Sequence, residues 1–128
     1  MQYLLEHVAI NTNDFAGSLA FYRDLLGFAV AEEVYVASIG VRRAYLHSGS
    51  AKLELLAFDD RRDPGQDRRH QVGLRHLGVV VEDVRSAHEQ LTAAGIAFTQ
   101  GPTPGAGSVR WKAMFLDPNG VEIELIEH

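Results

Sequence analysis

Two histidines and two glutamates in this chain have the types and spacing to hold a cation. His7 and His76 are 69 residues apart and Glu54 and Glu124 are 70 apart, so each Glu follows its His by 47 or 48 residues. In "KLELLAF", Lys52 to Phe58, Glu54 stands among Leu53, Leu55 and Leu56; in "VEIELIEH", Val121 to His128, Glu124 stands between Ile123 and Leu125. An ionised carboxylate buried without a partner costs several kcal/mol, so such a residue must face water or meet a cation. Two imidazoles and two carboxylates suit Ni, Zn, Fe, Co or Mn. Four ligands in an octahedral shell leave two positions, a Lewis-acid site for two neighbouring oxygens of a small substrate. Taken singly, either His reads as a core residue and Glu54 as an edge-strand charge. The repeated register joins the four.

That register belongs to a longer internal repeat. "HVAINTNDFAGSLAFYRDLLGF" from His7 parallels "HLGVVVEDVRSAHEQLTAAGI" from His76. Both begin with His in an alternating strand, reach an Asp seven residues later (Asp14, Asp83), and run into a helical pattern ending at Gly27 or Gly95. Each copy predicts strand, helix and three strands. In the first, the strand is Leu4–Asn11 and the helix Asp14–Leu26, capped by Asn13 or Asp14 and stopped by Gly27. Strands follow near Ala29–Ser38, Val41–Ser48 and Lys52–Phe58. In the second, the strand is Leu74–Val81 and the helix Val84–Ala94, with strands near Ala97–Gln100, Val109–Leu116 and Val121–Glu127. "DPNG" turns the last hairpin. The modules span 1–58 and 74–128, joined by a charged linker, 59–73, within a single domain, 1–128. "GPTPGAGS", Gly101–Ser108, reads as a loop over a pocket; its glycines match no nucleotide motif.

Side chains alternate faces along a strand. His7 and Ala9 therefore oppose Val8 and Ile10, and His76 and Gly78 oppose Leu77 and Val79. Glu54 and Leu56 oppose Leu53 and Leu55, and Glu122 and Glu124 oppose Ile123 and Leu125. Each strand has one apolar face fit to lie under a helix and one face carrying a His or Glu. Paired modules would bring His7, Glu54, His76 and Glu124 together. Glu122 lies about 6.6 Å along the strand from Glu124 and reads as a rim residue.

Bulk properties narrow the function. A chain of 128 residues, 46% hydrophobic, suits one ordinary domain. A net charge of −5 gives no reason to expect nucleic-acid binding. There is no Cys, so thiolate metal sites and disulfides are excluded. No apolar run approaches a membrane span of about 20 residues and no leader pattern opens the chain, so a soluble cytoplasmic protein is expected. His47, His70 and His128 read as solvated and His88 as a packing residue on the second helix. Trp111 and Phe115 share one strand face, either core or cleft lining.

His at a strand start, "NDFAGSLAFYRDLLGF", a mid-strand Glu and "LDPNGVEIELIE" together resemble the vicinal oxygen chelate superfamily of glyoxalase I, bleomycin-resistance proteins and extradiol dioxygenases. The resemblance covers essentially the whole chain. It implies an α+β fold of two paired βαβββ modules, an eight-stranded, cleft-shaped mixed sheet with helices on the outer face, and a homodimer. It maps the family's metal positions onto His7, Glu54, His76 and Glu124. The ligand set is closest to lactoylglutathione lyases, which implies a metal-dependent lyase with Glu124 and Glu54 as candidate bases. Where those lyases often carry an Arg and an Asn toward glutathione, this chain has Asn11 and Phe58; Arg110 and Lys112 are the alternative anion contacts. "GVRRAYLHSGSAKLELLAF" also resembles methylmalonyl-CoA epimerase, with Arg43 where that enzyme carries a Glu base. A non-catalytic antibiotic-binding member is the remaining alternative.

Overall fold

In the computed structural model, which describes residues 1–62 and 72–128, the order strand, helix, three strands occurs twice. Each occurrence lies in its own unit, Met1–Pro64 or Gly65–His128. The eight strands divide into two four-stranded mixed sheets, and the class is α+β. No helix of the described residues is long and apolar enough to cross a membrane.

In the first unit the strands are β1 (Val8–Asn11), β2 (Ala29–Val36), β3 (Val41–Ser48) and β4 (Ala51–Phe58), and α1 is Phe15–Ala20. The sheet order is β1-β4-β3-β2, with β1 parallel to β4 and the other pairs antiparallel. One face is apolar: Ile10, Ala44, Leu46, Leu53 and Leu55 are buried, and so are Phe15, Leu19 and Tyr22 on the helical segment. Burying each large side chain contributes about 1.5–3 kcal/mol. Asp14 caps α1, accepting from the Gly17 N–H at 3.0 Å.

The helix predicted to Leu26 is regular only to Ala20 and widens into a π-turn over Phe21–Leu25. Leu26 N–H reaches Phe21 C=O at 3.1 Å, an i to i+5 bond. Consecutive Phe21 and Tyr22 are both buried, and their rings meet edge to face at 5.0 Å. The wider turn fits a rotation of the two neighbours toward one core. Gly27 then ends the segment at φ +75°, a conformation that favours Gly.

β1 begins at Val8, four residues later than expected. β4 supplies partners only for Val8–Asn11, from Leu53 to Leu56. Among the described residues no strand pairs with residues 1–7, and Tyr3, Leu4 and Leu5 are exposed.

The second unit contains β5 (His76–Val80), α2 (Val84–Ala93), β6 (Phe98–Pro104), β7 (Trp111–Leu116) and β8 (Glu122–Glu127). Its order, β5-β8-β7-β6, again places the parallel pair at one edge. Ala113, Phe115, Ile123 and Leu125 form the buried face with Val84 of α2. Two carboxylates satisfy the start of α2: Asp83 accepts from Ser86 N–H at 2.9 Å and buried Glu127 from Val84 N–H at 3.0 Å. The expected loop at Gly101–Ser108 is half strand, since β6 runs to Pro104 with an irregular register around Gln100. An edge strand tolerates proline, which is why "GPTP" joins the ladder.

Candidate metal centre

In the first unit, register fixes which side chains share Glu54's face. Ala9 pairs with Glu54 across β1 and β4, and Tyr45 pairs with Glu54 across β3 and β4. This face is opposite the one buried against α1, where Leu53 and Leu55 lie. Glu54 is nevertheless buried, at 8% exposure. The Tyr45 phenol is hydrogen-bonded to its carboxylate, and that bond, helped by burial, holds the phenol above its ordinary pKa. His7 precedes β1 by one residue and meets the Tyr45 ring edge-on at 5.8 Å. Its Nδ1 is paired with Glu6, whose other oxygen takes the Lys52 ammonium. The Lys52 contact first, then His7, holds the Glu6 carboxyl below the usual carboxylate range.

In the second unit the corresponding pair is in direct contact. Gly78 faces Glu124 across β5 and β8, and His76 Nε2 lies 2.8 Å from Glu124 Oε2. Glu124 is largely buried, with 16% of its side chain exposed. A Cβ on Gly78 would come within 3.1 Å of Ile126 Cδ1, so glycine keeps the face beside Glu124 low. Met114 is the cross-strand neighbour of Glu124 on β7. Arg75 pairs with Glu122 at 3.2 Å, in keeping with a rim position for Glu122.

The donor chemistry fits a divalent metal. The 2.8 Å between His76 and Glu124 is close to the roughly 3 Å between neighbouring ligands on one metal, given bonds of about 2.0–2.2 Å. Among the described residues, no group of three or more His, Asp or Glu is gathered as a ready metal cluster. In the first unit the His7 Nδ1 is held by Glu6 and the Glu54 carboxylate by Tyr45.

The candidate substrate residues separate by strand face. Arg43 shares the Glu54 face, since it pairs with Leu56 and lies over the Tyr45 ring at 5.3 Å. Asn11 also faces Leu56, and Phe58 is half-buried at the end of β4. Lys112 shares the face of Glu124, opposite Ile126. Arg110 does not: its guanidinium reaches Glu127 at 3.3 Å, on the side that caps α2. Trp111 and Phe115 are on that helix side too; Arg85 lies over Trp111 at 3.9 Å and Phe115 is fully buried.

His47 is half-buried within β3 rather than solvated in a turn, because that strand runs to Ser48. His88 packs on the Phe98 ring at 4.4 Å, as expected of a packing residue. His128 is exposed, and His70 lies outside the described residues. Tyr45 and Glu6 were not picked out by sequence. Tyr45 was findable, because the alternation of "VRRAYLH" puts it with Arg43 and opposite Ala44 and Leu46.

The chain is 34% identical over 124 residues to YwkD of Bacillus subtilis (strain 168), covering 96% of this chain and 95% of that protein. It is 30% identical over 129 residues to the mitochondrial methylmalonyl-CoA epimerase of Dictyostelium discoideum, covering 96% of this chain and 77% of the epimerase. Its structure matches that of a glyoxalase family protein from Enterococcus faecalis with a TM-score of 0.83 and 28% identity over 97% of each chain. The family profile spans residues 4–125, and the chain belongs to the glyoxalase/bleomycin resistance protein/dioxygenase superfamily.

Proposed function

We propose that this protein is a metal-dependent lyase or isomerase of the glyoxalase I (lactoylglutathione lyase) type, moving a proton on a small α-oxygenated substrate. The observations that carry it are the His76–Glu124 contact at 2.8 Å in one repeat and the burial of Glu54 at the matching position of the other. His7, Glu54, His76 and Glu124 are the assigned ligands, drawn from one chain or from two copies of a homodimer. The exposed Leu4, Leu5, Val72 and Leu74 support self-association. The two modules with their linker act as a single domain, and the cytoplasm is the expected compartment.

When bound, a divalent metal supplies Lewis-acid polarisation of a substrate carbonyl. The chain's own residues do the rest. A carboxylate oxygen of Glu124 or Glu54 takes the proton from the carbon beside that carbonyl and returns it to the neighbouring carbon. The Tyr45 phenol orients the Glu54 carboxylate through their hydrogen bond. Met114 and Ile126, on the Glu124 face, shield the reacting carbon from water. Lys112 on that face offers a contact to an anionic substrate group.

The 30% identity to the Dictyostelium enzyme favours a second member of the same chemistry, an epimerase of methylmalonyl-CoA type. Both reactions begin with proton removal next to a carbonyl, so one pair of assays separates them. Turnover of the methylglyoxal–glutathione hemithioacetal supports the lyase. Solvent-deuterium exchange into methylmalonyl-CoA without hemithioacetal turnover supports the epimerase. Neither activity in metal-loaded protein overturns both and leaves a small-molecule binding protein.

A further inference from the structure

Arg42 and Arg43 are consecutive in β3, so they point to opposite faces of the first sheet. Arg42 is satisfied. Its guanidinium lies over the Phe15 ring at 4.7 Å, and it donates to Glu33 at 2.7 Å. Arg43 is not. Among the described residues its Nε is buried without a hydrogen-bond partner, and its ion pair to Glu32 is long at 3.7 Å. The other carboxylates of this region are engaged, Glu54 by Tyr45 and Glu6 by Lys52 and His7. A buried donor without an acceptor is an unfavourable state that native proteins seldom keep without a reason.

A guanidinium presents its Nε–H and one Nη–H as a planar fork that matches a carboxylate. We propose that Arg43 is the anion-recognition residue of this site and takes a carboxylate of the substrate, two residues along β3 from the Tyr45–Glu54 pair. Two strand residues span about 6.6 Å. That distance suits a short acid whose carboxylate rests on Arg43 while a carbon two or three bonds away reaches the Glu54 oxygen. The substrate class is therefore a small acid that keeps a free carboxylate, either an α-oxygenated carboxylic acid or the half-thioester of a malonyl-type diacid, an assignment that rests on the proposed proton transfer for the role of Glu54.

The test uses metal-free protein, malonate as probe and inorganic phosphate as rival. The Arg43 Nε–H resonance is identified by NMR from its absence in Arg43→Lys. Malonate is expected to shift that resonance, and Arg43→Gln to weaken malonate binding about 10- to 100-fold. Arg42→Gln, on the opposite face, is expected to bind as the native chain does. If both Arg43 variants misfold, the resonance is assigned in the native chain by through-bond correlation to the Arg43 backbone, and its shift decides. No shift with malonate, undiminished binding in folded Arg43→Gln, or tighter binding of phosphate than malonate would overturn the assignment. Metal content is measured separately on reconstituted samples. Protein that takes malonate on Arg43 but holds no metal loses the proton-transfer function and keeps the anion site.

Discussion

The two repeats have the same plan and different wiring around their His and Glu. In the second unit the His and Glu touch, His76 to Glu124 at 2.8 Å. In the first, Glu6 engages His7 and Tyr45 engages Glu54. Three pairs of equivalent positions account for the difference. The residue before the His is Glu6 in one copy and Arg75 in the other; the residue two before the Glu is Lys52 in one and Glu122 in the other. The rim ion pair is thus kept with its charges exchanged, Glu6 with Lys52 and Arg75 with Glu122. In the first copy the residue before the His is the carboxylate and takes His7; in the second that residue is Arg75, and His76, although opposite Glu122 in the ladder, reaches Glu124. Across from the Glu stands Tyr45 in one copy and Met114 in the other, so only Glu54 has a phenol to hold it. A repeat can keep its backbone register while its two copies prepare their ligands differently.

If the sheets are equivalent supports, equivalent core truncations cost the same. Leu55→Ala and Leu125→Ala each remove a side chain that is almost fully buried. Each should destabilise its unit by about 2–5 kcal/mol in urea unfolding. A large inequality would break the equivalence. The next effect is confined to the second unit. Glu127 fills a position occupied by Ala57 in the first, and it satisfies Val84 N–H. Glu127→Ala should cost about 1–3 kcal/mol and speed amide exchange at the start of α2.

The Tyr45–Met114 difference is sharpened by two conservative changes. Tyr45→Phe should weaken divalent-metal affinity about tenfold, by loss of a bond that orients a ligand. Met114→Leu should leave it nearly unchanged; equal effects in a chelator competition would contradict the asymmetry. The same bond sets a pH dependence. Because the folded-state phenol pKa is raised, its contribution is complete below the unfolded value of about 10. It is lost as pH rises through the folded-state value. Absorbance titration should show tyrosine ionisation extending above the ordinary phenol range, and Tyr45→Phe should remove its share of that step while the share of Tyr35, raised by its hydrogen bond to Asp59, stays. The smallest effect belongs to the charge-exchanged rim. Arg75→Gln removes a half-exposed ion pair and should change unfolding stability by less than about 1 kcal/mol.

Much of this could be read from the chain because strands alternate strictly. The placement of Glu54 opposite Leu53 and Leu55, and of Glu124 opposite Ile123 and Leu125, follows from period two alone. The partners of the carboxylates did not follow, because they depend on register between strands, and register brought Tyr45 to Glu54. Strand limits also escaped. Residues 4–7 have strand-like composition, but β4 provides no ladder partners before Leu53. Arg110 looked like a free cation beside the hairpin; its carboxylate partner, Glu127, lies on the face opposite Glu124, where parity alone would have placed it. The π-turn was hidden because a demand to bury adjacent rings leaves no periodic mark.

The most direct test of the proposed centre is the divalent-metal content of purified, reconstituted protein, measured by elemental analysis for the native chain, Glu54→Gln and Glu124→Gln. One metal per chain in the native protein, lost or sharply reduced in both variants, is the expected result. Retention of the full metal content in either variant, or no metal in the native chain after reconstitution, would contradict it.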